Sequence, residues 1–169
     1  QGRDWQLATI QLDFQIPERM KLEYIDRDGK PKRPVIVHRA ILGSLERFIG
    51  IMLEHYQGAL PLWLSPVQVA VLPVSEKVEK YAQGVFEQLK NEGIRVEFDA
   101  SNKPIGAKIR EATLQKIPFM CIIGEKEKAH SRSDRDAFAS VRTRDGEDLS
   151  IQKVNAFIER LKEDIEKAQ

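Results

Sequence analysis

From residue 67 onward short apolar runs alternate with amphipathic stretches, and that order narrows sharply what the chain can fold into. Residues 67–72 form a near-continuous apolar run, as expected for a strand covered on both faces. Residues 75–92 then read as a helix. Ser75 stands at its N-cap, Val78, Ala82, Val85, Phe86 and Leu89 recur on one side, and Gly93 ends it. Residues 94–99 read as a strand and 105–116 as a helix stopped by Pro118. Residues 119–123 and 141–144 are further strands, with Asp145 and Gly146 as a turn. A last helix capped by Ser150 carries Ile151, Val154, Phe157, Ile158, Leu161 and Ile165 at helical spacing. Such alternation predicts an α/β unit, a mixed β-sheet flanked by helices.

The stretch before it has a different texture. Residues 5–16 alternate strictly: Ala8, Ile10, Leu12, Phe14 and Ile16 face one way, and Leu7, Thr9, Gln11, Asp13 and Gln15 the other. Period two over this length predicts a half-buried strand with a polar working face. A hairpin follows, residues 20–25 returning as 35–37 around Asp28 and Gly29. The strand ends at His38, and a helix over 40–56 comes next. On that helix positions 43, 47, 50 and 54 share a stripe, with Ser44 beside Arg47, opposite a core face of Ile41, Leu45, Phe48, Met52 and Tyr56. Each glycine inside a helix costs about 1 kcal/mol relative to alanine. Spacing alone leaves two readings of Gly43 and Gly50 around Arg47. One is helix–helix packing; the other is close approach of a polyanion or a flat base to the guanidinium. Gly58, Pro61 and Pro66 mark a linker, so the expected domains are residues 1–60 and 61–169.

Composition sets limits without naming a function. The chain has 169 residues, 41% hydrophobic and 31% charged, with net charge +1. It suits a soluble, intracellular folded chain with one ordinary domain and a smaller partner. From Ser65 onward 18 Lys and Arg balance 18 Asp and Glu, so any polyanion must be met by local patches. A single cysteine, Cys121 in the run FMCII, excludes an internal disulfide and reads as a buried thiol. No run approaches a membrane span and no signal peptide is visible. His55 and His130 lie at no ligand spacing and read as surface residues. The segment 125–136 is the most charged and reads as a mobile loop.

Longer motifs say more. Residues 34–48, PVIVHRAILGSLERF, resemble motif 3 of class II aminoacyl-tRNA synthetases. Together with TIQLDF they resemble the threonyl-tRNA synthetases in particular. PLWLSPVQVAVLPVS, IGAKIREATLQKIPFMCIIGEKE and VRTRDGEDL continue the likeness in the same order. The resemblance implies an anticodon-binding domain preceded by an incomplete antiparallel-sheet piece of a class II catalytic domain. Motifs 1 and 2 would lie upstream, and Gln1-Gly2-Arg3 is not a natural start. The expectation is therefore a C-terminal piece of a threonine–tRNA ligase, inactive alone, whose cytoplasmic (or organellar) parent is a homodimer. The other class to weigh is a non-catalytic RNA-binding or regulatory module derived from such a domain.

The resemblance also implies roles. Gln6, Thr9, Gln11 and Asp13 would line the adenylate and amino-acid pocket. Arg47 would bind ATP, with its magnesium, and stabilise negative charge during adenylate formation, with Ser44 beside it. His38 would be the last of three zinc ligands, the metal reading the threonine hydroxyl. Asn102, Lys116, Glu127 and Arg142 would contact anticodon bases of tRNA(Thr). Asn offers two hydrogen bonds to one base, Lys or Arg suits guanine acceptors, and Glu accepts from base donors. Many relatives have Arg where Lys116 stands, and the loop between Glu127 and Arg142 is long. Lys103, Lys108 and Arg110 extend the cationic surface around Asn102 and Lys116.

Overall fold

The computed structural model describes residues 2–131 and 136–167. The chain forms two compact units, one ending at His55 and one starting at Tyr56.

The first unit contains β1 (Thr9–Asp13), α1 (Gln15–Arg19), β2 (Tyr24–Ile25), β3 (Pro31–Lys32), β4 (Ile36–Ala40) and α2 (Leu45–His55). β1 pairs antiparallel with β4, setting Thr9 against Ala40, Gln11 against His38 and Asp13 against Ile36. The strand is shorter than the alternation implied, and Asp13 is the reason. Its Oδ1 accepts the N–H groups of Gln15 (2.9 Å) and Ile16 (3.0 Å), which turns the chain into α1. Phe14 and Ile16 leave the strand. The hairpin also closes differently: β2 pairs with β3 across a turn at Gly29 (φ +74°), and β4 is β1's partner instead.

His38 lies in the middle of β4, and the helix starts later than residue 40. Gly43 occupies the bend between them at φ +68°, and a Cβ there would stand 3.3 Å from the Leu7 carbonyl oxygen. A left-handed residue pressed against backbone is a position for glycine. The expected stripe through 43, 47, 50 and 54 therefore loses its first member. Ser44 caps α2, its Oγ accepting the Arg47 N–H at 3.2 Å. The expected core faces are open. Ile10, Leu12, Ile41 and Leu45 are each about 60% exposed, and α2 buries no residue. Two two-stranded sheets and two helices offer no second layer to cover them.

The second unit contains β5 (Val69–Pro73), a 3-10 turn leading into α3 (Glu79–Asn91), β6 (Val96–Phe98), α4 (Ile105–Leu114), β7 (Phe119–Ile123), α5 (Glu125–His130), β8 (Phe138–Thr143), β9 (Asp148–Lys153) and α6 (Val154–Lys167). Its sheet runs β6-β5-β7-β8-β9. β6 and β7 are parallel to β5, while β8 and β9 are antiparallel neighbours. The mixed sheet with flanking helices is the predicted architecture, with two additions. Glu125–His130 is helical, and the stretch from Asp148 to Lys153 is a strand. Ser150, at φ +65°, sits in that strand and caps no helix. Residues 132–135 of the expected loop lie outside the described residues. Ser75 precedes the 3-10 turn, but its side chain makes no capping bond.

One face of the sheet, through Val69, Val71, Cys121, Ile123, Ala139 and Val141, packs under Ala82, Val85 and Leu89 of α3 and Phe157 and Leu161 of α6. On the other face Ala70, Leu72 and Met120 meet Ala112 and Ile117 below α4. Cys121 is fully buried, and burial pushes its thiol up to about 12. The expected linker is no loose tether. Leu60 and Ser65 are buried, Arg95 donates to the carbonyls of Ser65 and Trp63 (both 2.8 Å), and Arg144 to that of Leu60 (2.8 Å). These bonds draw the linker into the second unit, ahead of the expected limit at residue 60.

Candidate nucleic-acid interface

Period two assigns the sheet's side chains to faces. Met120 and Ile122 of β7 stand beside Arg142 and Ser140 of β8, and those beside Asp148 and Ile151 of β9. All lie on the face that carries α4. The apolar cluster beneath α4 lies toward β5, and the strands beyond it are barer on this side. Arg142, Ser140 and Ile122 are half-buried and Ile151 is exposed. A partly covered shelf of sheet thus lies beside α4, with α5 against its far end at Ser140 and Phe138.

Of the four residues expected to read bases, Lys116, Arg142 and Glu127 lie along β7 and β8, and Asn102 lies past the end of β5. Asn102 is exposed in the loop before α4. Lys116 is exposed just past its end, in a left-handed conformation (φ +61°), so it belongs to the turn and not to the helix. Arg142 lies on the shelf floor toward Lys116, next to Met120, with its Nη2 3.7 Å from where a Gly146 Cβ would be. Glu127 reaches the opposite end from α5. The two ends are separated by the five residues of β7, roughly 13 Å at strand rise. The structure does not bring the four to one point.

Glu127 is the exception in kind. It is 7% exposed, with Oε2 accepting the Gly124 N–H (2.8 Å) and Oε1 the Ser140 hydroxyl (2.7 Å). Burial alone would raise its pKa; the bonds from Ser140 and Gly124 outweigh it and hold the carboxyl below the usual range. The cationic surface is also smaller than expected. Lys108 is buried, bonded to the carbonyls of Pro73 (3.0 Å) and Asp99 (2.9 Å), and Lys103 is paired with Glu111 at 2.7 Å. Asn102, Lys103, Arg110 and Lys116 are exposed, Lys103 within that surface ion pair.

The model of the anticodon binding domain family matches residues 68–164, the whole of this sheet and its helices up to the last turn of α6. The chain belongs to the anticodon-binding domain family. Ahead of that domain, residues 1–56 match the tRNA synthetase class II core domain (G, H, P, S and T). The threonine–tRNA ligases of Laribacter hongkongensis and Caldanaerobacter subterraneus are each 52% identical over 97% of the chain. The chain spans about a quarter of the length of these relatives, 25% and 24%. The crystal structure of the RNA binding domain of threonyl-tRNA synthetase from Cryptosporidium parvum is similar with a TM-score of 0.81 and 41% identity. The match covers 95% of this chain and 40% of that one.

In the class II core segment, Thr9, Gln11, Asp13 and His38 share one face of the β1–β4 pair. His38 Nε2 is 3.1 Å from Asp13 Oδ2. The backbone N–H of Ile16, then the His38 ring and the Gln15 N–H, hold Asp13 below the usual carboxylate range. Arg47 donates to the Gln6 carbonyl, with its guanidinium carbon 5.8 Å from the Trp5 ring centre. It forms no ion pair with Glu46 or Glu54 among the described residues. No group of three His, Cys, Asp or Glu among the described residues could hold a metal. One imidazole falls short of the three protein ligands of a catalytic zinc site, so these residues alone do not fit zinc. Ser140 and Trp5 are the site neighbours that motif reading missed. The shared parity of positions 140 and 142 was the available signal for Ser140; nothing in the spacing marks Trp5. No helix among the described residues is long and apolar enough to cross a membrane.

Proposed function

We propose that this chain is the tRNA-reading part of a threonine–tRNA ligase, and that unpaired anticodon bases lie on the shelf beside α4. The supporting observation is a stretch of sheet between α4 and α5 that carries half-buried Arg142, with exposed Lys116 before β7 and exposed Asn102 in the loop before α4, in a member of this domain family. Single-stranded bases expose their edges, and amide, ammonium and guanidinium groups match those edges. Glu127 serves by fixing the Gly124 turn against Ser140, with only its remaining lone pairs free for a base. The near-neutral charge makes this reading one of shape and local contacts.

The parent enzyme would activate threonine with ATP and magnesium and pass it to the tRNA. In it Gln6, Thr9, Gln11 and Asp13 would line the pocket, and Arg47, with Ser44 beside it, would bind ATP. His38 would be one zinc ligand of a set completed by residues outside the described ones. A cytoplasmic setting belongs to the same proposal, and the lone unpaired Cys121 is compatible with a reducing compartment.

The test is binding of a threonine tRNA transcript and of the same transcript with its anticodon bases exchanged. The chain is expected to prefer the first, and Asn102→Ala to cost about 1 to 3 kcal/mol of that binding. Equal affinity for both transcripts overturns the proposal.

A further inference from the structure

Lys108 is a cation held inside the anticodon-binding unit, 4% exposed. An ammonium removed from water is costly unless its N–H groups are met, and an apolar side chain of similar volume often serves packing as well or better. What the ammonium adds is a tie. β6 leaves the ladder after the Val71–Phe98 pair, while β5 runs on to Pro73 beside β7. Lys108 Nζ spans that divergence by donating to the Pro73 carbonyl (3.0 Å) and the Asp99 carbonyl (2.9 Å). The Asp99 carboxylate in turn accepts the Ser101 N–H at 2.8 Å, and the next residue is Asn102. Lys108 and Asn102 line one cavity of about 80 Å³ past the end of β5.

We propose that Lys108 is a positioning residue for Asn102: through Asp99 it sets the loop that presents the amide to an RNA base. This rests on the anticodon-reading function above. Asp99 is the second link, so its loss should have the same effect from the opposite charge.

The experiment measures Kd and its salt dependence for the threonine tRNA transcript with the wild-type chain, Lys108→Met, Asp99→Ala, Asn102→Ala and the Lys108→Met, Asn102→Ala pair. Lys108→Met is expected to weaken binding about tenfold, within the worth of a base contact. In the Asn102→Ala background it should add less than about twofold, the sign of two residues acting as one. Asp99→Ala should also weaken binding. A direct phosphate contact by Lys108 predicts otherwise: its loss would flatten the log–log salt slope by about 0.7, and removing the Asp99 charge would tighten binding. Either of those results overturns the proposal, as do additive losses or folded variants that bind like wild type. If Lys108→Met fails to fold, Asp99→Ala decides by its sign. A wild-type chain that ignores anticodon exchange sinks the function and this proposal together. Wild-type discrimination with unmoved variants sinks this proposal alone.

Discussion

A carboxylate with both oxygens engaged answers to acid differently from one in water. Desolvation favours the neutral form of Glu127, but the Ser140 hydroxyl and the Gly124 N–H favour the charged form more, so its folded pKa is depressed. The stabilisation it lends is therefore complete above the ordinary glutamate range and lost as pH falls through the lowered value. Glu127→Ala should cost about 1 to 3 kcal/mol at neutral pH, and urea unfolding of variant and wild type should converge in acid. A gap that widens in acid would contradict this sign. The role of Glu127 could not be read from the sequence, because a glutamate in a charged run looks alike whether it faces water or Ser140. Lys108 misleads for the same reason: helical spacing places it among cations, and only the divergence of β5 and β6 turns it inward. Asn102 was legible as an exposed polar position because a loop leaves few alternatives, whereas Lys116 was read as the end of the helix and stands in the turn beyond it.

Elements with unambiguous periods were read well. The run 119–123 is a strand with those limits, and α3 buries Ala82, Val85 and Leu89 as its spacing required. Phe157 anchors α6 to this sheet, wholly buried and edge-on to Phe119 with ring centres 5.5 Å apart. Phe157→Ala should lower stability by about 3 to 5 kcal/mol, seen as a shifted urea midpoint with an unchanged slope. β9 was missed because Ile151 happens to fall at helical spacing from Val154 and Ile158, which drew the helix start back across a strand. The real start follows the bond from the Val154 N–H to the Ala137 carbonyl (2.8 Å), a tertiary contact no local pattern encodes. The start of α2 was misplaced in the same way. Ala40 still pairs with Thr9 of β1, and the left-handed bend at Gly43 (φ +68°) holds the helix off until Leu45.

The two units differ in how much apolar surface they bury. The second has a layered core; the first leaves Ile10, Leu12, Ile41 and Leu45 largely in water. Amide hydrogen exchange should therefore report strong protection in β5 and β7 and much weaker protection in α2, and equal protection would contradict this packing. Period and motif order made the α/β sheet legible, whereas open faces on the first unit were not, because amphipathic spacing marks what seeks cover and not what finds it. Cys121, at the centre of the five-stranded sheet, carries a practical corollary. With its sulfur shielded and its proton retained to about 12, maleimide should leave the native chain unlabelled. The rate at which label appears in mild denaturant then becomes a clock for whole-sheet opening, and a second thiol installed at position 102 could carry a dye alone.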